Sequence, residues 1–184
     1  AYATVARYDA NPVLQGKTIV DAAKHLYGSD SLEAQVRLLL EIKSEGGGSG
    51  VFQNMSTPDM HVFLSHPMTM IASDGSPRRL GEAMPHPRSF GNNARVLGRH
   101  VNRDGWFPLE EAIRKMTSLP ADTFRLGNRG RLRVGAEADV VAFDTSKVVD
   151  RSEIGDPHHW SEGFHTVLVG GIAVLKDGRM TGLR

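Results

Sequence analysis

Apolar residues follow a helical period through much of the first 127 residues and an extended period in the remainder of the chain. Two helices are predicted near the start, because Thr18 and Ser31 are residue types that cap helix N-termini and Gly28 suits a helix end. The second helix carries an apolar stripe made of Leu32, Val36, Leu39 and Leu40. We expect both helices to turn their apolar faces toward the core.

The middle of the chain is expected to alternate between strands and helices. In order, the pattern predicts a strand from Val51, a helix capped by Thr57 that runs to about Ser65, a strand over 68–73, a long loop over 75–92, and helices over 108–119 and 120–126. The strand over 68–73 is nearly continuously apolar, which is typical of a strand covered on both faces. It ends at Asp74.

Beyond residue 127 the extended pattern predicts a small β region. Strands are expected at 139–144, 166–169 and 172–176, and the Gly170-Gly171 pair between the last two is typical of a hairpin turn. The chain is therefore expected to have an α/β fold with a β appendage.

Composition limits the classes of protein that the chain can represent. It has 184 residues, with 22 Lys plus Arg against 21 Asp plus Glu, so the formal net charge is only +1. This balance argues against a charge-driven nucleic-acid binder. No cysteine is present, and no apolar run reaches the roughly 18 residues of a membrane span. We expect a soluble, cytoplasmic protein whose partners include neither nucleic acid nor membrane.

Asp74 is the first candidate for chemistry because of its position at the carboxyl end of a buried strand. In parallel α/β architectures, catalytic groups gather at that edge of the sheet. The alternative from the residues alone is that Asp74-Gly75 is only a turn after a strand.

Arg88 is the second candidate, because Pro85 and Pro87 restrict the backbone of the loop around it. A guanidinium held in place can bind a carboxylate through two hydrogen bonds. The alternative is an ordinary surface arginine. None of the eight histidines is spaced like a metal-binding pair on one strand or one helix face, so the residues alone predict no independent zinc site.

Taken together, several segments resemble the N-acyl-D-amino-acid deacylases, the D-aminoacylase branch of the amidohydrolase superfamily. The segments are MIASDG at 70–75, HPRSFG at 86–91, RVLGR at 95–99, EAIRKMTSLP at 111–120, RGRLRVG at 129–135 and ADVVAFD at 138–144. The resemblance extends from about residue 12 to the end of the chain and is most specific over 68–144.

This resemblance implies a metal-dependent TIM barrel followed by a small β-sandwich. It implies that Asp74 lies beside zinc, as a ligand and as the base that deprotonates the attacking water and passes the proton to the leaving amine. It also implies that Arg88 binds the α-carboxylate of an N-acyl-D-amino acid substrate. Residues 1–127 would then be the C-terminal β/α units of the barrel, and residues 128–184 would be part of the sandwich.

The chain also departs from the family, because the His-x-His pair, the bridging ligand and the later histidines of relatives lie upstream and are absent here. A barrel takes about 250 residues by itself, and the sequence begins at Ala1 without Met. Loss of an initiator Met before a small residue is one explanation. We favour the other, that an N-terminal part of the parent chain is missing, and we expect the isolated chain to be inactive.

Two other functions stay open at this point. One is an amidohydrolase of the hydantoinase or dihydroorotase type, which would act on a cyclic amide; the Pro85-His86-Pro87-Arg88 loop argues against it. The other is a non-catalytic subunit or interaction module that keeps the fold without the metal.

Overall fold

The computed structural model describes residues 2–183 and shows a mixed α/β fold. In chain order the elements are β1 (Ala3–Arg7), a 3-10 turn (Pro12–Leu14), α1 (Ile19–Tyr27), α2 (Leu32–Ser44), β2 (Ser49–Phe52), α3 (Thr57–Ser65), α4 (Arg88–Arg95), a π-helix (Val96–Arg103), α5 (Leu109–Met116), α6 (Ser118–Thr123), β3 (Val140–Phe143), β4 (Phe164–Val169), β5 (Ile172–Lys176) and β6 (Arg179–Met180). Contacts divide them between two compact units. The first unit is Ala1–Met55, Gly75–Phe90 and Ser152–His159, and the second is Ser56–Asp74, Gly91–Arg151 and Trp160–Arg184.

The first unit packs α1 and α2 beside the antiparallel pair of β1 and β2. The predicted caps of α1 are confirmed: the Thr18 hydroxyl accepts a hydrogen bond from the Asp21 amide (3.0 Å), and Gly28 closes the helix in the left-handed conformation with φ 68°. The core of this unit is formed by Val5, Tyr8, Leu14, Ala22, Ala23, Ala34 and Leu38. Strand β1 was not predicted, because residues 1–17 have no clear apolar period.

The expectation that the apolar stripe of α2 faces the core is wrong. Ser31 caps the helix as predicted, but the side that is buried carries Ala34 and Leu38. The four stripe residues are exposed by 46 to 76% of their surface: Leu32, Val36, Leu39 and Leu40. Helical spacing identifies an apolar face, but it does not tell which of two apolar faces meets the rest of the same chain.

The second unit contains α3, the greater part of α4, the π-helix, α5 and α6, with boundaries that differ from the predicted ones. Ser56, and not Thr57, caps α3, since its hydroxyl accepts from the Asp59 amide (3.2 Å). The helix predicted over 108–119 ends at Met116 because Pro120 has no N–H to donate to the Met116 carbonyl and would clash with it in a continuous helix. Pro120 lies instead in the first turn of α6, where that N–H is not needed.

The strand predicted over 68–73 is absent, since residues 69–79 lie outside any helix or strand. A strand needs a neighbouring strand to pair with, and the Ile71 amide donates instead to the carbonyl of Lys115 at the end of α5 (3.1 Å). The long loop also ends earlier than predicted. It stops at Pro87, and α4 and the π-helix follow directly, although their Ser, Asn and Gly residues are weak helix formers.

The β region matches its prediction closely. Strands β3, β4, β5 and β6 form one antiparallel sheet in that order. The turns that join the last three strands are Gly170-Gly171 and Asp177-Gly178, and all four residues have positive φ angles between 51 and 83°. That conformation suits tight two-residue hairpins, which explains why the glycines are found there.

The π-helix buries a histidine in the core of the second unit. The His100 ring is 5% exposed and stacks on the Trp106 ring with centroids 4.0 Å apart. Its Nδ1 has no hydrogen-bond partner among the described residues, and the Asp104 carboxylate is 3.6 Å away. Burial, helped by the nearby Arg99 cation, lowers the pKa of His100 from 6.5 to about 4.

Replacing His100 with Phe is expected to remove a source of acid sensitivity while keeping the ring stack. Between pH 6.5 and 4 the unfolded chain binds a proton at this residue that the folded chain does not bind, so His100 lowers stability as the pH falls. When the pH is lowered from about 7 to about 5, the free energy of unfolding should decrease in the wild type. The decrease should be roughly 2 kcal/mol smaller in His100→Phe. Urea unfolding at both pH values measures this. His25→Gln, which replaces an exposed histidine, is the control and should show the same pH dependence of stability as the wild type. Equal pH dependence in all three proteins would contradict the effect assigned to His100.

Candidate active site

Asp74 ends the non-helical segment that follows α3. Its side chain is exposed and its backbone has a φ of 48°, in the left-handed region that Asp adopts more readily than most residues. The sequence prediction placed it at the end of a strand; the structure places it at the end of a segment that α5 holds by hydrogen bonds.

The residue after Asp74 lies close to the backbone of Arg88. A Cβ atom added to Gly75 would come within 3.1 Å of the Arg88 carbonyl oxygen and of the Ser89 Cα atom. Such distances are shorter than ordinary van der Waals contacts, so this approach favours glycine at position 75.

Arg88 is the first residue of α4, and not a loop residue as predicted. Its amide donates to Nδ1 of His86 (3.1 Å), so the imidazole satisfies one of the N–H groups that a helix start leaves free. Pro87 between them is buried. The backbone at Arg88 is therefore restrained by Pro87, by the His86 cap and by the helix itself.

His158 holds the loop that leads to Arg88. Its Nδ1 accepts a hydrogen bond from the Gly81 amide (3.1 Å), so the ring must carry its proton on Nε2, which donates to the Ala83 carbonyl (2.7 Å). The same ring makes an edge contact with Phe90, at 5.6 Å between centroids. No signal in the sequence pointed to this role of His158, because its partners lie about 75 residues away along the chain.

Asp150 holds the other end of α4. Its carboxylate is 4% exposed and accepts a hydrogen bond from Arg95 Nε (2.6 Å). A methyl group at Gly91 would overlap this carboxylate, which explains why the helix carries glycine there. No sequence signal pointed to Asp150, because 55 residues separate it from Arg95.

A cavity of about 490 Å³ lies in the first unit, but it is not centred on the predicted site. It is lined by Ala6, Arg7, Asp9, residues 46–49, Arg78, Ala83, Met84 and Pro85. Arg7 is paired with Asp9 (2.6 Å), and Arg78 lies 3.5 Å from Glu82.

The residues that the structure describes do not make a metal site by themselves. Within residues 2–183, no three His, Cys, Asp or Glu side chains are grouped so that they could hold an ion. In the same part of the chain, no helix combines the length and apolar character that a membrane crossing requires.

Comparison with known proteins identifies the relatives of the chain. N-acyl-D-glutamate deacylase from Alcaligenes xylosoxydans xylosoxydans is 38% identical over 165 residues, which are 90% of this chain and 32% of that protein. The crystal structure of D-aminoacylase matches 100% of this chain with a TM-score of 0.85 and 32% identity. N-acyl-D-glutamate deacylase from Bordetella bronchiseptica, solved with zinc and a phosphonate inhibitor, matches 97% with a TM-score of 0.79 and 33% identity.

The matches cover nearly all of this chain but only part of each relative. The chain spans about a third of the length of these relatives, 32% of the first and 36% of each solved chain. The model of the amidohydrolase family matches residues 37–180, which is well over half of the chain. The resemblance inferred from the sequence is confirmed, and the chain belongs to the amidohydrolase family.

Proposed function

We propose that this chain is the C-terminal part of a metal-dependent hydrolase that cleaves the amide bond of N-acyl-D-amino acids. The products are a carboxylate and a free D-amino acid. The observation that carries the proposal is the similarity of the whole chain, in sequence and in fold, to D-aminoacylase. The two N-acyl-D-glutamate deacylases support the same class of substrate.

Asp74 has the role of general base and then of general acid in this proposal. Its carboxylate accepts a proton from water as the water oxygen bonds to the amide carbon, and returns the proton to nitrogen as the C–N bond breaks. Two features support this assignment: the exposure of the side chain and its place at the end of a segment fixed by hydrogen bonds to α5. An exposed carboxylate can reach a substrate, and a fixed one can do so in a single geometry.

Arg88 has the role of binding the α-carboxylate of the substrate. A guanidinium can donate two parallel hydrogen bonds to a carboxylate, and its charge persists at any working pH. The exposed side chain starts from a helix end whose backbone is held by His86. A substrate that carries its negative charge at this position would be oriented as well as bound.

The fold that we propose for the parent protein is a TIM barrel with a β-sandwich. Residues 1–127 are its last β/α units and residues 128–184 are part of the sandwich. The change from helices to the sheet of β3–β6 supports this boundary. The exposed stripe of α2 supports an incomplete barrel, because a continuous apolar helix face is stable when another element covers it. Zinc would be held by residues beyond these 184, with Asp74 as this chain's contribution to the site.

Grafting tests the proposed activity. The chain should have no measurable activity alone, whereas a chimera in which it replaces the matching segment of the Alcaligenes N-acyl-D-glutamate deacylase should hydrolyse N-acyl-D-amino acids. Turnover is measured by release of the free amino acid, with zinc content and circular dichroism confirming that the chimera is folded and loaded.

Three outcomes of this experiment count against the proposal. Turnover by the isolated chain would contradict the inactivity that we expect. A preference of the chimera for cyclic imides over linear N-acyl-D-amino acids would favour the hydantoinase or dihydroorotase type. A folded, zinc-loaded chimera without activity on either class would favour a non-catalytic module.

The proposed roles of Asp74 and Arg88 predict that their substitution changes different kinetic constants in an active chimera. Asp74→Asn should lower kcat by about 100-fold or more with little change in KM, because it removes proton transfer. Arg88→Met should raise KM by about 10- to 100-fold, since charge-assisted hydrogen bonds to the substrate are lost. Substrates with and without the α-carboxylate separate the two effects.

Arg79→Met is the matched control, as it removes an exposed arginine from the loop that precedes α4. It should leave both constants close to those of the unsubstituted chimera. An Arg88→Met effect of equal size on a substrate without the carboxylate would contradict the role assigned to Arg88.

A further inference from the structure

Lys115 is a charged residue with no exposure to solvent. Its side chain is 0% exposed, on the face of α5 that also buries Ala112. Removing an ammonium group from water is costly unless partners replace the lost hydrogen bonds, so a lysine in this position must be satisfied within the protein. The spacing of three residues from Ala112 places Lys115 on the apolar side of the helix, which is the sequence signal that was overlooked.

The partners of Lys115 are backbone carbonyls of the segment that leads to Asp74. Its Nζ atom donates to the carbonyl of His66 and to that of Thr69, the second at 3.2 Å. Its own carbonyl accepts from the Ile71 amide at 3.1 Å. One residue therefore fixes the segment at three points, the last of them three positions before Asp74.

Neighbouring side chains of α5 complete this arrangement. Glu111 Oε1 lies 3.6 Å from Lys115 Nζ and balances its charge. The Arg114 guanidinium, which donates two hydrogen bonds to Glu111, lowers the pKa of that carboxyl, and Lys115 acts in the same direction. Arg114 also donates to the Pro67 carbonyl, so a second residue of α5 holds the same segment.

We infer that Lys115 is a positioning residue for Asp74, because its buried ammonium group ties residues 66–71 to α5 and thereby fixes the backbone that presents the Asp74 carboxylate. This inference rests on the proposed function, which gives Asp74 its catalytic role. The hydrogen bonds of residues 66–71 replace the strand pairing that the sequence predicted for this segment.

The first test uses the 184-residue chain and does not depend on activity. Since the chain has no cysteine, Lys115→Cys introduces a single thiol that can be alkylated in the unfolded protein before refolding. Aminoethylation restores a side chain with a terminal ammonium group, and propylation gives one of nearly the same shape without the charge. Amide hydrogen exchange at Ile71 is then compared in the two products.

We expect exchange at Ile71 to be at least about tenfold faster in the propyl form than in the aminoethyl form, which should match the wild type. Exchange at Leu38, which is buried in the core of the first unit, should be equal in both. Equal rates at Ile71 would overturn the inference. So would a propyl form that does not refold, or one in which exchange at Leu38 accelerates equally, since Lys115 would then support the fold in general.

The second test measures the consequence for catalysis in the active chimera. Lys115→Met should lower kcat by about 100-fold, the scale expected when a catalytic group is misplaced by about 1 Å, while KM changes by less than about threefold. Leu38→Ala is the matched control for lost stability, because it opens a cavity in the other core. An unchanged kcat in Lys115→Met, or an equal loss in Leu38→Ala, would overturn the inference. If the chimera itself is inactive, the proposed function fails, and the exchange experiment still decides whether Lys115 fixes the segment.

Discussion

The arrangement of the second unit depends on how a buried ammonium group finds hydrogen-bond partners. Lys115 has no access to water, and the carbonyls of His66 and Thr69 supply what water would have supplied. A main-chain segment without a strand partner has the complementary need, since its carbonyls must also be satisfied. The ammonium group and the carbonyls satisfy each other, so the backbone from His66 to Ile71 has a fixed conformation although it belongs to no sheet. The position of Asp74 follows from that conformation.

The two helices of the first unit show why burial does not follow from periodicity alone. In α1 the apolar residues Ala22 and Ala23 are buried, in line with the expectation that this helix turns its apolar face to the core. In α2 the small residue Ala34 and Leu38 are buried, whereas the larger stripe that includes Leu32 and Leu40 is exposed. A helix with two apolar faces can pack on both sides. One face of α2 is covered by other described residues of this chain, and the other face is exposed to solvent.

Elements that depend on nearby residues could be predicted from the sequence, whereas elements that depend on contacts far along the chain could not. The caps Thr18, Ser31 and Gly28 and the glycine turn at 170–171 could be read from the sequence, because each depends on residues within a few positions. The strand over 68–73 and the end of the long loop at about residue 92 were predicted wrongly. The segment 68–73 depends on Lys115, more than 40 residues away, and α4 is held at its far end by Asp150, 55 residues from Arg95. Asp74 and Arg88 were chosen partly by resemblance, and their roles stay predictions.

The histidines show what the sequence could say about the site and what it could not. Their spacing predicts no metal-binding pair on one strand or one helix face. Spacing could not reveal that His86 caps α4, that His158 holds the preceding loop or that His100 stacks in a core. In all three cases a ring nitrogen or a ring face meets groups of the same unit. These three histidines therefore support the structure of their own units, and the chemistry that we propose for this chain rests on Asp74 and Arg88.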